Sequence, residues 1–319
     1  MSYRLPLSSM TNRTYKRIAA IAIAAAGWTT ASAASRGPCD DSLSQGIPAR
    51  ELNAPGGRTF AEAIRSLSDD ERESRIQHEL TTGNIPGFLR RLVPVRLQSP
   101  TTGAEQIDIT ICAAPDYLAI GSDADFVLIP VRLATALAMA SHAGFTLPTP
   151  RIVDAIYTQA AVHFVPLPLP ASNEMRSTEY SLRHNELIGA QRAALDISLG
   201  TLIAGDKKDL VLTNRLRSHL DRVAIYGWHM TEGQPIQSLS TVHGWRYADY
   251  SHGARLISTH VFVDGRPKSI FDVMQDGRLA SALSDEGVIA DVAGLIESLD
   301  ARAQAGLSAI LRALPPRFP

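Results

Sequence analysis

The 319-residue chain has only two cysteines, three tryptophans and 6% aromatic residues. Each scarcity closes off a class of function. Two cysteines cannot supply a zinc-thiolate centre, so any metal site must use histidine and carboxylate ligands. A near-zero net charge of −1, without a Lys/Arg run, leaves no electrostatic footprint for a nucleic acid. No apolar run reaches the ~20 residues that a spanning helix needs, so stable membrane insertion is not expected. With 45% hydrophobic and 20% charged residues, a full core is within reach.

The N-terminus carries Arg4, Arg13, Lys16 and Arg17 ahead of "IAAIAIAAAGW" (Ile18 to Trp28) and then "TTASAA". A basic segment, a short apolar run and the small-x-small exit Ala31-Ser32-Ala33 predict an export signal over 1–33. The expected location is periplasmic or secreted. Cys39 and Cys112 both lie beyond that segment, and in an oxidising compartment they either pair or remain as two separate buried thiols.

Residues 34–58 read as a flexible mature N-terminus, and 59–319 as the folded domain. Helices are expected from Thr59, from the capping signature "SDDE" (Ser68 to Glu71), over Leu133 to Ala143, from Thr149-Pro150, over Thr178 to Leu195, and from Asp285 to about Leu314. Short β-branched runs begin at Val93, Gln106, Tyr117, Phe126, Asp209, Arg222 and Arg255. Without strict βαβ alternation, this order predicts a single α+β domain: a mixed or antiparallel sheet with flanking helices. The proline-punctuated "VPLPLP" marks a possible lobe division near 165–172.

The scarce residue types gather in "HGWRYADYSHGARL", His243 to Leu256, which reads as an ordered loop entering a strand. Polar residues also cluster in "RHNE" (Arg183 to Glu186), "GDKKD" (Gly205 to Asp209) and "YGWH" (Tyr226 to His229). The expected catalytic set is His229, His243, Asp249 and His252, groups able to orient and move protons. Trp245, Tyr247, Tyr250 and Arg255 are the expected substrate-binding residues. His229, His243 and Asp249 are candidate ligands for a divalent metal such as zinc. Ser240, His243 and Asp249 approach the SxHx6D pattern of zinc peptidases that cut cell-wall peptides, but the spacing is one residue short and the later HxH is missing. Lys207-Lys208 reads as a solvated charge pair, and Ser251 is a poor nucleophile because its neighbour His252 cannot readily reach it.

The segments "LIAGDKKDLVLTNRL", "VAIYGWH" and "HGWRYADYSHGARL", with "LPTPRIVDAIYTQA" upstream, resemble a family of uncharacterised exported bacterial proteins. The likeness runs from roughly Gly87 to Glu286. Its relatives often carry a histidine where this chain has Asp206, so that position is either altered or dispensable. The resemblance implies one domain and one polar cluster, and brings no activity with it. Export and the proton-moving residues together predict a hydrolase acting on an envelope or extracellular polymer, peptide or glycan. The rival expectation is a non-catalytic glycan- or peptide-binding envelope protein.

Overall fold

A computed structural model describes residues 38–99 and 106–313. The expected export segment lies outside the described residues. The described residues belong to one compact unit, undivided at 165–172. The architecture is α+β, and among the described residues no helix is long and apolar enough to cross a membrane.

The larger sheet has six strands, all paired antiparallel. Asp108–Ala113 runs through its centre, with Val93–Gln98 on one side and the successive pieces Ile257–Ser258 and His260–Val263 on the other. Phe145–Thr146 and Arg266–Ser269 extend it. Asp264 (φ 47°) and Gly265 (φ 75°) join the last hairpin, as a two-residue turn with both central residues left-handed requires.

The second sheet carries the polar segments. Its order is Pro235–Ser240, Ile225–His229, Lys208–Leu210, His252–Gly253. The first two pairings are antiparallel, while His252–Gly253 lies parallel to Lys208–Asp209. That last contact is two residues long. It therefore has no periodicity for a sequence to display, and it draws the end of the histidine-rich loop onto the GDKKD strand.

Local signals set most helix starts. Ser68 and Glu71 close a reciprocal capping box ahead of Asp69–Thr81. The Thr149 hydroxyl accepts from Ile152 N ahead of Pro150–Gln159, which buries Ile152, Val153, Ile156 and Tyr157. Leu133–Ala143 is buried along most of its length and stops at left-handed Gly144 (φ 79°). Thr178–Ala194 follows the proline-rich segment. The last helix begins at Val292 rather than Asp285. The apolar pair before it splits, with Val288 exposed and Ile289 buried and bonded through its N–H to Met274 O.

Residues 38–58 depart from the expected flexible segment. Cys39 and Cys112 form a disulfide, with Cα atoms 5.4 Å apart. Ile47 is buried, and Arg90 donates to the carbonyls of Ile47 and Pro48, each at 2.8 Å. Arg50 Nε reaches Asn84 Oδ1 at 2.8 Å. This stretch lacks periodic structure but is held by long-range contacts that no local pattern announces.

Candidate functional site

Asp206 and Lys207 lead directly into the strand Lys208–Leu210, and both side chains are buried. Lys207 points inward and is 1% exposed, so it is not a solvated lysine. Its Nζ donates to Tyr250 O at 2.6 Å and to His184 Nδ1 at 3.1 Å. Burial, and then the Lys207 charge, push the His184 pKa down to about 2, so the ring is a neutral acceptor. Burial lowers Lys207 to about 8 against the opposing pull of Asp206, Asp249 and Asp116.

The neighbouring carboxylates are equally buried. Asp209 accepts from the Tyr117 hydroxyl at 2.8 Å through Oδ2, while Oδ1 has no hydrogen-bond partner among the described residues. Burial raises its pKa to about 6. Neither oxygen of Asp206 has a partner there, and burial, followed by the charge of Asp116, raises it to about 7. Arg255 completes this interior: it donates to Ala114 O at 3.0 Å and Ile203 O at 2.9 Å, and lies over the Tyr117 ring at 4.3 Å. Fully buried and committed to backbone, Arg255 is a strut and not a substrate ligand. Gly253 sits tightly here, since a Cβ would lie 2.5 Å from Tyr117 Cδ1 and 2.9 Å from Lys207 Cβ. Gly253→Ala is expected to cost roughly 1–3 kcal/mol of stability by overpacking, read from denaturant unfolding.

The loop that follows brings three of the four expected catalytic residues together. Asp249 Oδ1 accepts from Ser251 N at 2.8 Å and Ser251 Oγ at 2.6 Å, and Oδ2 accepts from the Tyr247 hydroxyl at 2.9 Å. Burial works to raise the Asp249 carboxyl, but His252, the Ser251 bonds and Lys208 outweigh it and hold it below the usual carboxylate range. Ser251 is fully buried with its hydroxyl taken, which removes it as a nucleophile. His243 stacks on Tyr247, centroids 4.0 Å apart at 7°. The His252 ring lies 6.3 Å from His243 and 5.6 Å from Tyr247, beneath them. It is 1% exposed, and neither ring nitrogen has a hydrogen-bond partner among the described residues. Burial drops its pKa to about 4, so the imidazole is neutral near pH 7.

Trp245 and Tyr247 line a groove of about 690 Å³ together with Arg176, Arg222 and Arg246. Arg176 lies over the Tyr247 ring at 5.7 Å and Arg246 over Trp245 at 5.8 Å. Beside it a cavity of about 30 Å³, with Arg176 and Arg246 in both linings, reaches Asp249. Tyr250, in contrast, is a packing residue. Its hydroxyl accepts from Leu169 N at 2.8 Å, and its ring meets Tyr180, His184 and Trp228 edge-on. Lys208 Nζ sits 5.1 Å over the Trp228 ring. Trp228 itself has φ 55° and an unpartnered, buried Nε1 among the described residues, local strain of the kind that collects at functional sites.

His229 departs from this group. Its Nε2 is 2.8 Å from Asp154 Oδ1, and its ring stacks on Tyr157 at 4.4 Å. It lines a different pocket, sharing no lining residue with the groove. The expected four-residue constellation is thus three residues plus a separate dyad. Of the candidate metal ligands, His229 lines a different pocket from the one that reaches Asp249, and among the described residues no group of three His, Cys, Asp or Glu is placed to hold a metal. Asp154, His184, Asp116, Tyr117 and Asp206 were not among the expected site residues. A period-two reading of GDKKD would have placed Lys207 and Asp209 on one face, whereas Asp154 and His184 lie within ordinary helical patterns.

Comparisons with family models, curated proteins and solved structures find no match for this chain.

Proposed function

We propose that the protein is an exported hydrolase of an envelope or extracellular polymer, peptide or glycan, with His252 as its acid–base group. The observation that carries this reading is the buried, neutral His252 imidazole with two unpartnered nitrogens beneath the His243–Tyr247 stack. An unsatisfied buried polar group costs roughly 1–3 kcal/mol, so its retention needs a reason, and proton transfer from a bound water supplies one. Asp249, anionic and pinned by three hydrogen bonds, stabilises the imidazolium that forms when His252 takes a proton from the attacking water. The imidazolium then returns that proton to the departing oxygen or nitrogen. Trp245 and Tyr247 offer ring surface, and Arg176, over the Tyr247 ring and paired with Asp69, brings positive charge to the groove. The export signal and the Cys39–Cys112 disulfide support a periplasmic or secreted location.

The binding-module reading is favoured by a different observation: Trp245, Tyr247 and the arginines line the groove, while His252 is covered. Purified peptidoglycan and a soluble polysaccharide, assayed for released amino groups and reducing ends, separate the two. The parent is expected to release product, and His252→Gln to do so at least ~100-fold more slowly with pull-down unchanged. Retention of polymer by a parent that releases nothing would sink the hydrolase and establish the module.

A further inference from the structure

We propose that the pocket at His229 is a second binding site, one that takes a primary ammonium group carried on an apolar stem. It lies between the helix Pro150–Gln159 and the hairpin of Ile225–His229 with Pro235–Ser240, and encloses about 340 Å³.

Its centre is a carboxylate held by a buried histidine. The His229 side chain is 3% exposed and that of Asp154 45%. In a catalytic His–Asp pair the carboxylate is the inner, orienting member and the imidazole faces substrate. Here the order is reversed, so His229 is the support and Asp154 is the group offered to solvent. The Tyr226 hydroxyl donates to the same carboxylate, at 2.9 Å to Oδ1 and 3.1 Å to Oδ2. Burial, and then the bond to Asp154, raise the Tyr226 pKa well above its ordinary value, so that the phenol stays a donor. A carboxylate has about four acceptor sites. Two donors therefore fix its orientation and leave acceptor capacity facing the pocket.

The charge of the lining selects the ligand. Asp154 and Glu232 face the space, and no lysine or arginine is among its described lining residues. Two carboxylates without a fixed cation favour a positive guest over an anion or a neutral polyol. The walls are rigid: Tyr157 is sandwiched between the His163 and His229 rings, each 4.4 Å away, and its hydroxyl is anchored to Met230 O at 2.6 Å. Beside the pocket the hairpin exposes Met230 and Ile236, an apolar rim suited to a methylene stem. A lysine-type side chain and a free diamine share this chemistry.

Isothermal titration of the whole exported chain with Nα-acetyl-lysinamide and with cadaverine tests the site. Both probes are expected to bind saturably and more weakly at high salt, while Nα-acetyl-norleucinamide does not bind. Stronger binding of the lysinamide would identify a peptide source, and stronger binding of cadaverine a free amine. Asp154→Asn should weaken either probe at least ~tenfold. Glu232→Gln, on the exposed turn where folding is not at stake, should weaken it less. Absence of saturation by both cations, equal binding of the norleucine control, or parent-like affinity in both variants would overturn the site. None of these outcomes bears on His252 or polymer release, so the two proposals fail separately.

Discussion

The Cys39→Ser/Cys112→Ser variant is expected to lose about 4 kcal/mol of unfolding free energy. The bond joins residues 73 apart, and on the chain-entropy account a closed loop of that length restricts the unfolded chain by roughly this amount. The folded state gives the same direction. The segment after Cys39 lacks regular structure from Gly46 to Gly56, and its other attachments include the buried Ile47, Leu43 packed on the core, and hydrogen bonds that tie Arg50 and Pro55 to Asn84 and Ile47 and Pro48 to Arg90. A change of this size lowers the melting temperature of a domain this large by roughly 10 °C. Thermal unfolding with and without reductant measures it directly. A shift under ~2 °C would show that side-chain packing alone holds the segment, and would weaken the disulfide's support for an oxidising compartment.

The second large effect concerns pH. His184 and His252 titrate near 6.5 when unfolded, but burial lowers them to about 2 and about 4 in the folded chain. Below pH 6.5 the unfolded state therefore binds protons that the native state refuses, and each histidine subtracts stability as the solution is acidified. Asp206 and Asp209 act in the opposite sense. Burial raises them to about 7 and about 6, so the native state holds protons that the unfolded state has released. Their cost is fully present above those values and disappears as the pH falls toward the unfolded carboxylate pKa. Over pH 4 to 6 two losses oppose two gains, and the parent should show a nearly flat stability profile.

Asp206→Asn removes one side of this balance. Relative to the parent, the variant should be more stable at pH 8 than at pH 4, by a difference of roughly 4 kcal/mol at ~1.4 kcal/mol per pKa unit. Urea unfolding of both proteins at the two pH values tests this. A variant tracking the parent at constant offset would mean that Asp206 is already ionised at low pH in the folded chain, through partnership with Lys207 or Arg255.

Legibility differed by element. The capping box at Ser68, Thr149-Pro150 and Asp264-Gly265 are local devices whose physics is complete within four residues, and the structure has helices and a turn there. Leu133–Ala143 matched its predicted limits because Gly144 supplies a left-handed stop. The strands Pro235–Ser240 and Arg266–Ser269 show no apolar pattern because they are edge segments without a fully buried residue. At the site, the histidine-rich loop does gather His243, Tyr247, Asp249 and His252. Tyr250 and Arg255 belong to the same stretch but are committed to Leu169 and to the carbonyls of Ala114 and Ile203, partners distant in the chain that composition does not announce.

The α+β class, most element positions, the pair of cysteines and the crowding of polar groups into four short segments are all legible along the chain. Those are properties of composition and of contacts spanning a few residues. Long-range packing sets the rest: Lys207 is buried, His229 turns to Asp154 and away from His243, and His252 lies beneath the His243–Tyr247 stack. Each depends on a two-residue parallel pairing or on helix-to-sheet packing between segments tens of residues apart, and neither leaves a periodic trace in the chain.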